Sequence, residues 1–500
     1  MKNTFNSVKL TRPKKNAFDL THDHKLSGRM GNIIPVTVID TLPGDTYKIG
    51  ADVLVRFAPL IAPIMHRLDV SIHYFFVPNR LVWSSWEDFI KGDAIGTRPY
   101  IETLGLTDAQ KKFLDYMGVP PNNTAQSTIV SALPLAAYQM IYNEYYRDQN
   151  LIAEVNYQLG NGDNTANTDL MVLRKRAYEH DYFTSALPFA QKGNPVEIPL
   201  GKVELELGWS GDPKFVDAAG LMPTGSNALQ NDPAVGNVVV GAPATEVAYD
   251  PDGSLVVGAT TINELRRAFR LQEWLEKNAL GGTRYTELIY AHFGVKSSDA
   301  RLQRPEYITG VKSPVVISEV LNTSGGDLPQ ANMAGHGVGV TTGKIGGYYC
   351  EEFGHIIGVM SIMPKPAYQQ GIPKLWLKED NLDYGWPEFA HIGEQEVQVQ
   401  EIYAYTANKN DVFGYQSRFS EYKYMANRVS GEFRTTLAYW HLGRIFATEP
   451  TLSQEFIEVD SDDNTRIFAV EAEDDNLYCH VLNKILAIRP LPKYGTPLGV

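Results

Sequence analysis

Five hundred residues at 43% hydrophobic content can bury a sizeable core, and no stretch reaches the roughly 18 apolar residues of a membrane span, so membrane insertion is not expected. A formal net charge of −13 argues against a protein that coats nucleic acid over its whole surface. Cys350 and Cys479 are the only cysteines, which disfavours a zinc site or a disulfide framework and fits a reducing compartment.

The N-terminus, MKNTFNSVKLTRPKKN, lacks the apolar core of a signal peptide, so secretion by that route is not expected. Residues 1–30 hold seven basic groups, Lys2, Lys9, Arg12, Lys14, Lys15, Lys25 and Arg29, against Asp19 and Asp23. That makes a +5 arm ahead of a −18 remainder. On charge alone the arm is a solubilising tail. Residues 33–39 and 53–57 read as strands. Residues 67–77 alternate Leu68, Val70, Ile72, Tyr74 and Phe76 against Asp69, Ser71 and His73, the period of a sheet with one buried face. Helical patterns follow at 83–90, 108–116 and 133–147, and residues 161–169 (NGDNTANTD) form a polar loop.

Residues 208–258 contain eight glycines, five prolines, six acids and a single basic residue, Lys214. Their apolar bursts, Val238, Val239, Val240 and Leu255, Val256, Val257, are too brief to build a core. The segment reads as disordered, or as a surface protrusion ordered by packing against copies of itself. Thr261 with Glu264 then forms a capping box, with Ile262, Leu265, Phe269 and Leu275 at near-helical spacing, Gly281 to stop the helix, and a second short helix before Pro305. Strand patterns resume at 315–320, 356–363, 397–405, 456–459, 467–470 and 478–488. Residues 449–475 carry ten carboxylates against Arg466, a solvated acidic face. Strands at both ends of the chain must pair to avoid raw edges, with the middle hung on as insertions. The expectation is a mainly β, antiparallel core.

Chemistry is hard to find in this sequence. The segment 337–344, GVGVTTGK, has one residue too many between its glycines for a phosphate loop and Ile345 after its lysine. It reads as a pliable loop at a subunit contact. His22 and His24 flank Asp23 without the further ligands of a tetrahedral metal site. Asp250, Asp252 and Gly253 misplace the glycine of a calcium loop. Carboxylate pairs occur at Glu351/Glu352, Glu394/Glu396 and Asp474/Asp475, but a glycosidase needs two carboxyls held across a cleft, and sequence neighbours on a strand point to opposite faces, so Glu351 and Glu352 could not cooperate there. No cofactor is expected. The 27 tyrosines cluster, notably in 413–434, where Tyr415, Tyr422 and Tyr424 alternate with Arg418 and Arg428. Stacking on single-stranded DNA, subunit interfaces and ordinary packing are all open for these residues.

Several blocks occur in a specific order: FDLTHDHKLSGRMGNIIPV at 18–36, YNEYYRDQNL at 142–151, DYFTSALP at 181–188, the helical segment at 261–310, YQQGIP at 368–373 and FGYQSRFSEYKYMANRVSGEFR at 413–434. Together they resemble the major capsid protein of microviruses, the small icosahedral single-stranded DNA bacteriophages, and most of all the gokushovirus group. The resemblance fails mainly between 208 and 258, where that group carries a variable insertion.

The resemblance implies a non-enzymatic shell subunit of the virion, assembled in the host bacterial cytoplasm. Its fold would be an eight-stranded antiparallel jelly-roll β-barrel in a single domain over 31–500, with helical and loop insertions at 83–310. It implies self-assembly through pentamers into a sixty-copy T = 1 shell around circular single-stranded DNA. The basic arm 1–30 would face the genome, Tyr415, Arg418, Tyr422, Tyr424 and Arg428 would lie at a subunit interface, and the 208–258 protrusion would serve host attachment. Partners implied in the same way are a small basic DNA-binding phage protein, a scaffolding protein, a spike or pilot protein and a host surface receptor. The rival readings are a secreted carbohydrate-binding or glycoside-cleaving β-sandwich, which calls for a secretion signal and a tryptophan-lined cleft, and a single-stranded DNA-binding protein, which the net charge opposes.

Overall fold

Alternation at 67–77 produces a strand, Leu68–Pro78, and similar patterns at both ends of the chain supply its neighbours. The computed structural model describes residues 14–92, 97–121, 128–193, 196, 261–282, 284–321, 333–343, 345–460, 462–470 and 475–494, together with the backbone of short strands between 203 and 257. Eleven strands make the two main sheets: β1 (Asn16–Asp19), β2 (His22–Gly28), β3 (Ile34–Thr41), β4 (Thr46–Phe57), β5 (Leu68–Pro78), β6 (Glu306–Pro314), β7 (Val316–Leu321), β8 (Met333–Thr342), β9 (Gly346–Tyr349), β10 (Gly354–Pro364) and β11 (Leu477–Arg489).

The larger sheet runs from β1 and β2 through β11, β4 and β8 to β7, with β9 on the same side of β4 as β8. The smaller sheet has the order β6-β5-β10-β3. Every pairing in both is antiparallel, and β11 spans most of β4, from Leu477 opposite Phe57 to Ile488 opposite Thr46. The protein is therefore mainly β, as expected, but its described strands form two separate sheets rather than one closed barrel.

The sheets share a core. Tyr47, Ile49, Val53, Val55, Val481 and Ile485 of the larger sheet meet Val36, Val70, Ile72, Tyr74, Ile356 and Met360 of the smaller one. The expectation of one buried face for 67–77 needs correction, because both faces of β5 are covered. Phe75 and Val77 point the other way, joining Ile357 and Val359 in a second core with Trp83, Phe113, Tyr138 and Ile141. Helix α1 (Asp108–Tyr116), opened by the reciprocal Thr107/Gln110 capping box, and helix α2 (Leu133–Ile141) supply much of that cover. Each large side chain buried this way contributes roughly 1.5–3 kcal/mol.

The glycine-rich 337–343 segment is not a pliable loop; most of it lies in β8. A Cβ on Gly337 would sit 2.8 Å from the Phe57 ring, so the glycine permits close approach of strand to core. His22 and His24 are also structural. One His22 ring nitrogen lies 3.2 Å from Thr37 Oγ1, and one His24 ring nitrogen lies 3.0 Å from the Val36 carbonyl.

Three strand expectations change character. Residues 397–405 hold only the end of a strand, Glu394–Gln398, before a turn of helix at Val399–Ile402. The Glu401 carboxylate accepts the Gln398 N–H at 2.9 Å and so caps a helix where the apolar pattern suggested extension. Phe456 lies in the turn Gln454–Ile457 and Ile467 in Thr465–Ile467, both buried. Single helical turns can bury such residues as well as a strand does, and four-residue apolar bursts do not tell the two apart.

Residues Gln191–Leu280 cluster as a unit apart from the rest. Within it, Val238–Val240 pairs with Leu229–Asn231 and with 245–246, and Leu255–Val257 pairs with Val203–Leu205. Helix α3 (Ile262–Gly281) starts with the expected capping box, in which Glu264 accepts from the Thr261 N–H at 2.9 Å and returns its own N–H to the Thr261 hydroxyl at 3.2 Å. Helix α4 (Tyr285–Phe293) follows it in the chain.

Candidate assembly surface

The third apolar cluster forms the base of an unusual surface. It gathers Ile152, Tyr182, Phe183, Tyr368, Val397, Ile402, Phe413 and Phe456. The antiparallel hairpin of Glu394–Gln398 with Val412–Ser417 places Tyr415 opposite Glu396, and the Tyr415 backbone also exchanges hydrogen bonds with Leu187 at 2.8 and 2.9 Å.

A buried polar network stiffens this base. The Tyr182 hydroxyl donates to Glu401 Oε2 at 2.9 Å, while Glu401 Oε1 accepts from Lys374 Nζ at 3.3 Å. Burial raises the Glu401 carboxyl above its ordinary range despite that lysine. Tyr368 donates to Asp181 Oδ2 at 2.7 Å, and Asp181 Oδ1 accepts the Phe183 and Thr184 N–H groups at 2.9 and 2.8 Å. Gly371 lies so close to the Glu401 carbonyl that a Cβ there would come within 1.9 Å of it. Above this floor opens a pocket of about 270 Å³, with Tyr424, Met425, Arg428 and Arg434 among its lining.

Beside the pocket, residues 375–392 run as a belt of short 3₁₀ turns, Lys374–Trp376, Asn381–Asp383 and Pro387–Phe389. Local hydrogen bonds fix its shape. Asp380 accepts the Leu382 and Asp383 N–H groups at 2.7 and 3.2 Å, Asp383 accepts that of Glu379 at 2.9 Å, and the Trp386 indole donates to the Asn381 carbonyl at 2.6 Å. Lys378 stands 3.9 Å from the Tyr422 ring centroid and donates to its hydroxyl at 2.5 Å, which holds the phenol below its usual pKa. Yet the belt leaves Leu375, Trp376, Leu382, Tyr384, Trp386 and Ile392 between 46 and 74% exposed, beside Tyr422 at 57% and Met425 at 81%. Apolar side chains held rigid and left uncovered are the kind of surface through which proteins associate, because little ordering entropy remains to be lost on binding.

The residues singled out from sequence divide accordingly. Tyr422, Tyr424 and Arg428 lie on this surface or line its pocket. Tyr415 is half-buried in the hairpin, and Arg418 braces the belt from within, donating to the Leu382 carbonyl at 3.0 Å. Of the basic arm, Lys2, Lys9 and Arg12 fall outside the described residues. Lys15 donates to the Gly44 carbonyl at 2.5 Å, and Lys25 is exposed on β2. Arg29 pairs with Asp462 of the acidic run at 2.8 Å. Val238, Val239, Val240, Leu255, Val256 and Val257 form backbone strands, and their side chains lie outside the described residues. The belt itself was missed. Its WLKEDNLDYGWPEFAHI has neither period of regular structure; only its density of tryptophan, tyrosine and leucine among acids hints at a rigid surface.

Among the described residues no group of three or more His, Cys, Asp or Glu could hold a metal ion, and no helix is long and apolar enough to cross a membrane. An antiparallel β protein with an uncovered apolar surface of this kind has the character of a structural protein. Comparison gives the family: the pattern described as capsid protein (F protein) matches residues 6–498, and the chain belongs to the major capsid proteins of microviruses, as a structural subunit of the capsid. It is 33% identical to capsid protein VP1 of Bdellovibrio phage phiMH2K over 98% of this chain and 96% of that protein. It is likewise 33% identical to capsid protein VP1 of Chlamydia phage 1, over 99 and 98%. Capsid protein VP1 of Spiroplasma virus 4 is 29% identical, over 94 and 92%.

Proposed function

We propose that this subunit assembles through pentamers into a sixty-copy T = 1 shell around circular single-stranded DNA. The observation that carries the reading is the uncovered belt at 375–392, whose apolar side chains a monomer would leave in water and symmetry would bury many times over. The fold is read as an eight-stranded jelly roll. Supporting this is the alternation of the chain between sheets, with β2, β4, β8 and β11 in one and β3, β5, β6 and β10 in the other, in the orders β2-β11-β4-β8 and β3-β10-β5-β6.

The genome-facing side is read as the basic arm, Lys2, Lys9, Arg12, Lys14, Lys15, Lys25 and Arg29, continued onto the open face of the larger sheet. There Lys25, Lys48 and Arg56 are exposed and make no ion pair among the described residues, whereas Arg29 is already paired with Asp462. The 208–258 insertion is read as an outward protrusion used in host attachment, because one lysine among six acids would be repelled by phosphates. Scaffolding, spike or pilot, and small basic DNA-binding proteins, assembly in the host cytoplasm and a host surface receptor belong to the same reading. Negative-stain microscopy of the expressed protein tests it. Shells or pentamers are expected; a monodisperse monomer under every assembly condition would contradict it.

A further inference from the structure

The belt and the pocket lie side by side and differ in charge. On the belt, Glu379, Asp380 and Glu388 are exposed and form no ion pair among the described residues. Around the pocket the lining carboxylates Glu401 and Glu421 are already paired with Lys374 and Lys378, whereas Lys423, Arg428 and Arg434 are exposed and pair with no carboxylate among the described residues; Lys423 and Arg434 reach only backbone carbonyls, at 3.3 and 3.2 Å. The acids are carried beside Trp376 and Trp386, and the cations stand beside an aromatic-floored pocket of about 270 Å³ that is large enough for a side chain of that size.

We propose that the pocket at Tyr424–Arg434 receives the belt of a second copy of this chain, with belt acids against pocket cations. Because knob and socket share one face of the subunit, seating one belt in the partner's pocket brings the partner's belt to the first pocket. The contact is therefore isologous and sits on a twofold axis, not a fivefold one. It rests on the shell reading and specifies which copies meet through this surface. Charge complementarity selects the register, and the aromatic side chains leaving water supply the affinity. The belt needs little rearrangement, since the Asp380 and Asp383 caps already fix it.

Charge exchange within the full-length chain provides the test, read as closed shells and pentamers by electron microscopy and sedimentation. Arg428→Glu with Arg434→Glu, and separately Glu379→Lys with Glu388→Lys, are each expected to lower the yield of closed shells by about tenfold or more while pentamers persist, since like charges would then face one another. All four changes together should return the yield to within about threefold of wild type. Met425→Glu, at a position 81% exposed in the subunit, should block closure without altering the subunit's melting temperature. Wild-type shell yield from the double arginine variant, failure of the fourfold variant to recover, or loss of pentamers in either double variant would overturn the proposal. A wild-type protein that forms no particles at all would instead sink the shell reading beneath it.

Discussion

Two aromatic-rich regions of this subunit have similar composition and opposite fates. The second core encloses Phe75, Trp83, Phe113 and Tyr138, each 1% exposed or less, under a lid that the chain folds over its own smaller sheet. The belt at 375–392 holds Trp376, Tyr384 and Trp386 at 74, 55 and 46% exposure, on turns just as firmly hydrogen-bonded. The first region stabilises the subunit, whereas the second contributes little until another molecule covers it. Side-chain type therefore does not tell whether an aromatic-rich segment is covered; whether the same chain folds a cover over it does.

Substitution should separate the two regions most sharply. Phe113→Ala removes a fully buried ring and should destabilise the subunit by about 3–5 kcal/mol, seen as a large fall in unfolding midpoint. Trp376→Ala should leave the subunit within about 0.5 kcal/mol of wild type, yet lower shell yield several-fold in the same preparation. Equal destabilisation by both would erase the distinction.

Acid should act on the subunit's own buried groups rather than on the belt. Burial pushes His73 and His66 down to about 4, with Arg176 adding to the effect at His73. Each folded histidine thus binds its proton less readily than the unfolded chain does. The stability tied to neutral histidine is complete above about 6.5 and drains as pH falls toward 4, by roughly 1–3 kcal/mol per group. Thermal melts of the unassembled subunit between pH 7 and 4 should follow this, and His73→Gln should flatten the curve; an unchanged curve removes His73 from the explanation.

Smaller effects are expected at the periphery. Neutralising Lys9, Arg12, Lys14 and Lys15 should leave the fold intact and weaken the salt dependence of single-stranded DNA binding, by about 0.7 in log–log slope for each phosphate that the arm no longer neutralises. Normal DNA content in particles of that variant would argue against an inward-facing arm. Replacing residues 208–258 with a short Gly/Ser linker should change pentamer yield least of all while impairing adsorption to host cells. A variant that adsorbs normally would remove the protrusion from attachment.

Much of the sheet architecture was legible because period-two alternation is a local signal. Leu68 to Phe76 reads directly as a strand, the Thr261/Glu264 capping box locates the start of one helix, and the apolar pattern of 108–116 locates another. Burial of the second face of β5 was not legible, since its cover comes from residues dozens of positions away. The tyrosines and arginines of 413–434 pointed to the neighbourhood of the belt, but sequence could not separate Tyr422, which is exposed, from Tyr415, whose backbone is locked to Leu187. The belt escaped notice because turn-rich segments carry no periodicity, and exposed apolar side chains on turns show no pattern of their own.

Oxidative footprinting of assembled shells against free subunits addresses the central claim most directly. Trp376, Trp386 and Met425 should oxidise readily in the free subunit and become strongly protected in the shell. Equal oxidation of the belt residues in both states would show that assembly leaves this surface in water and would contradict the role assigned to it.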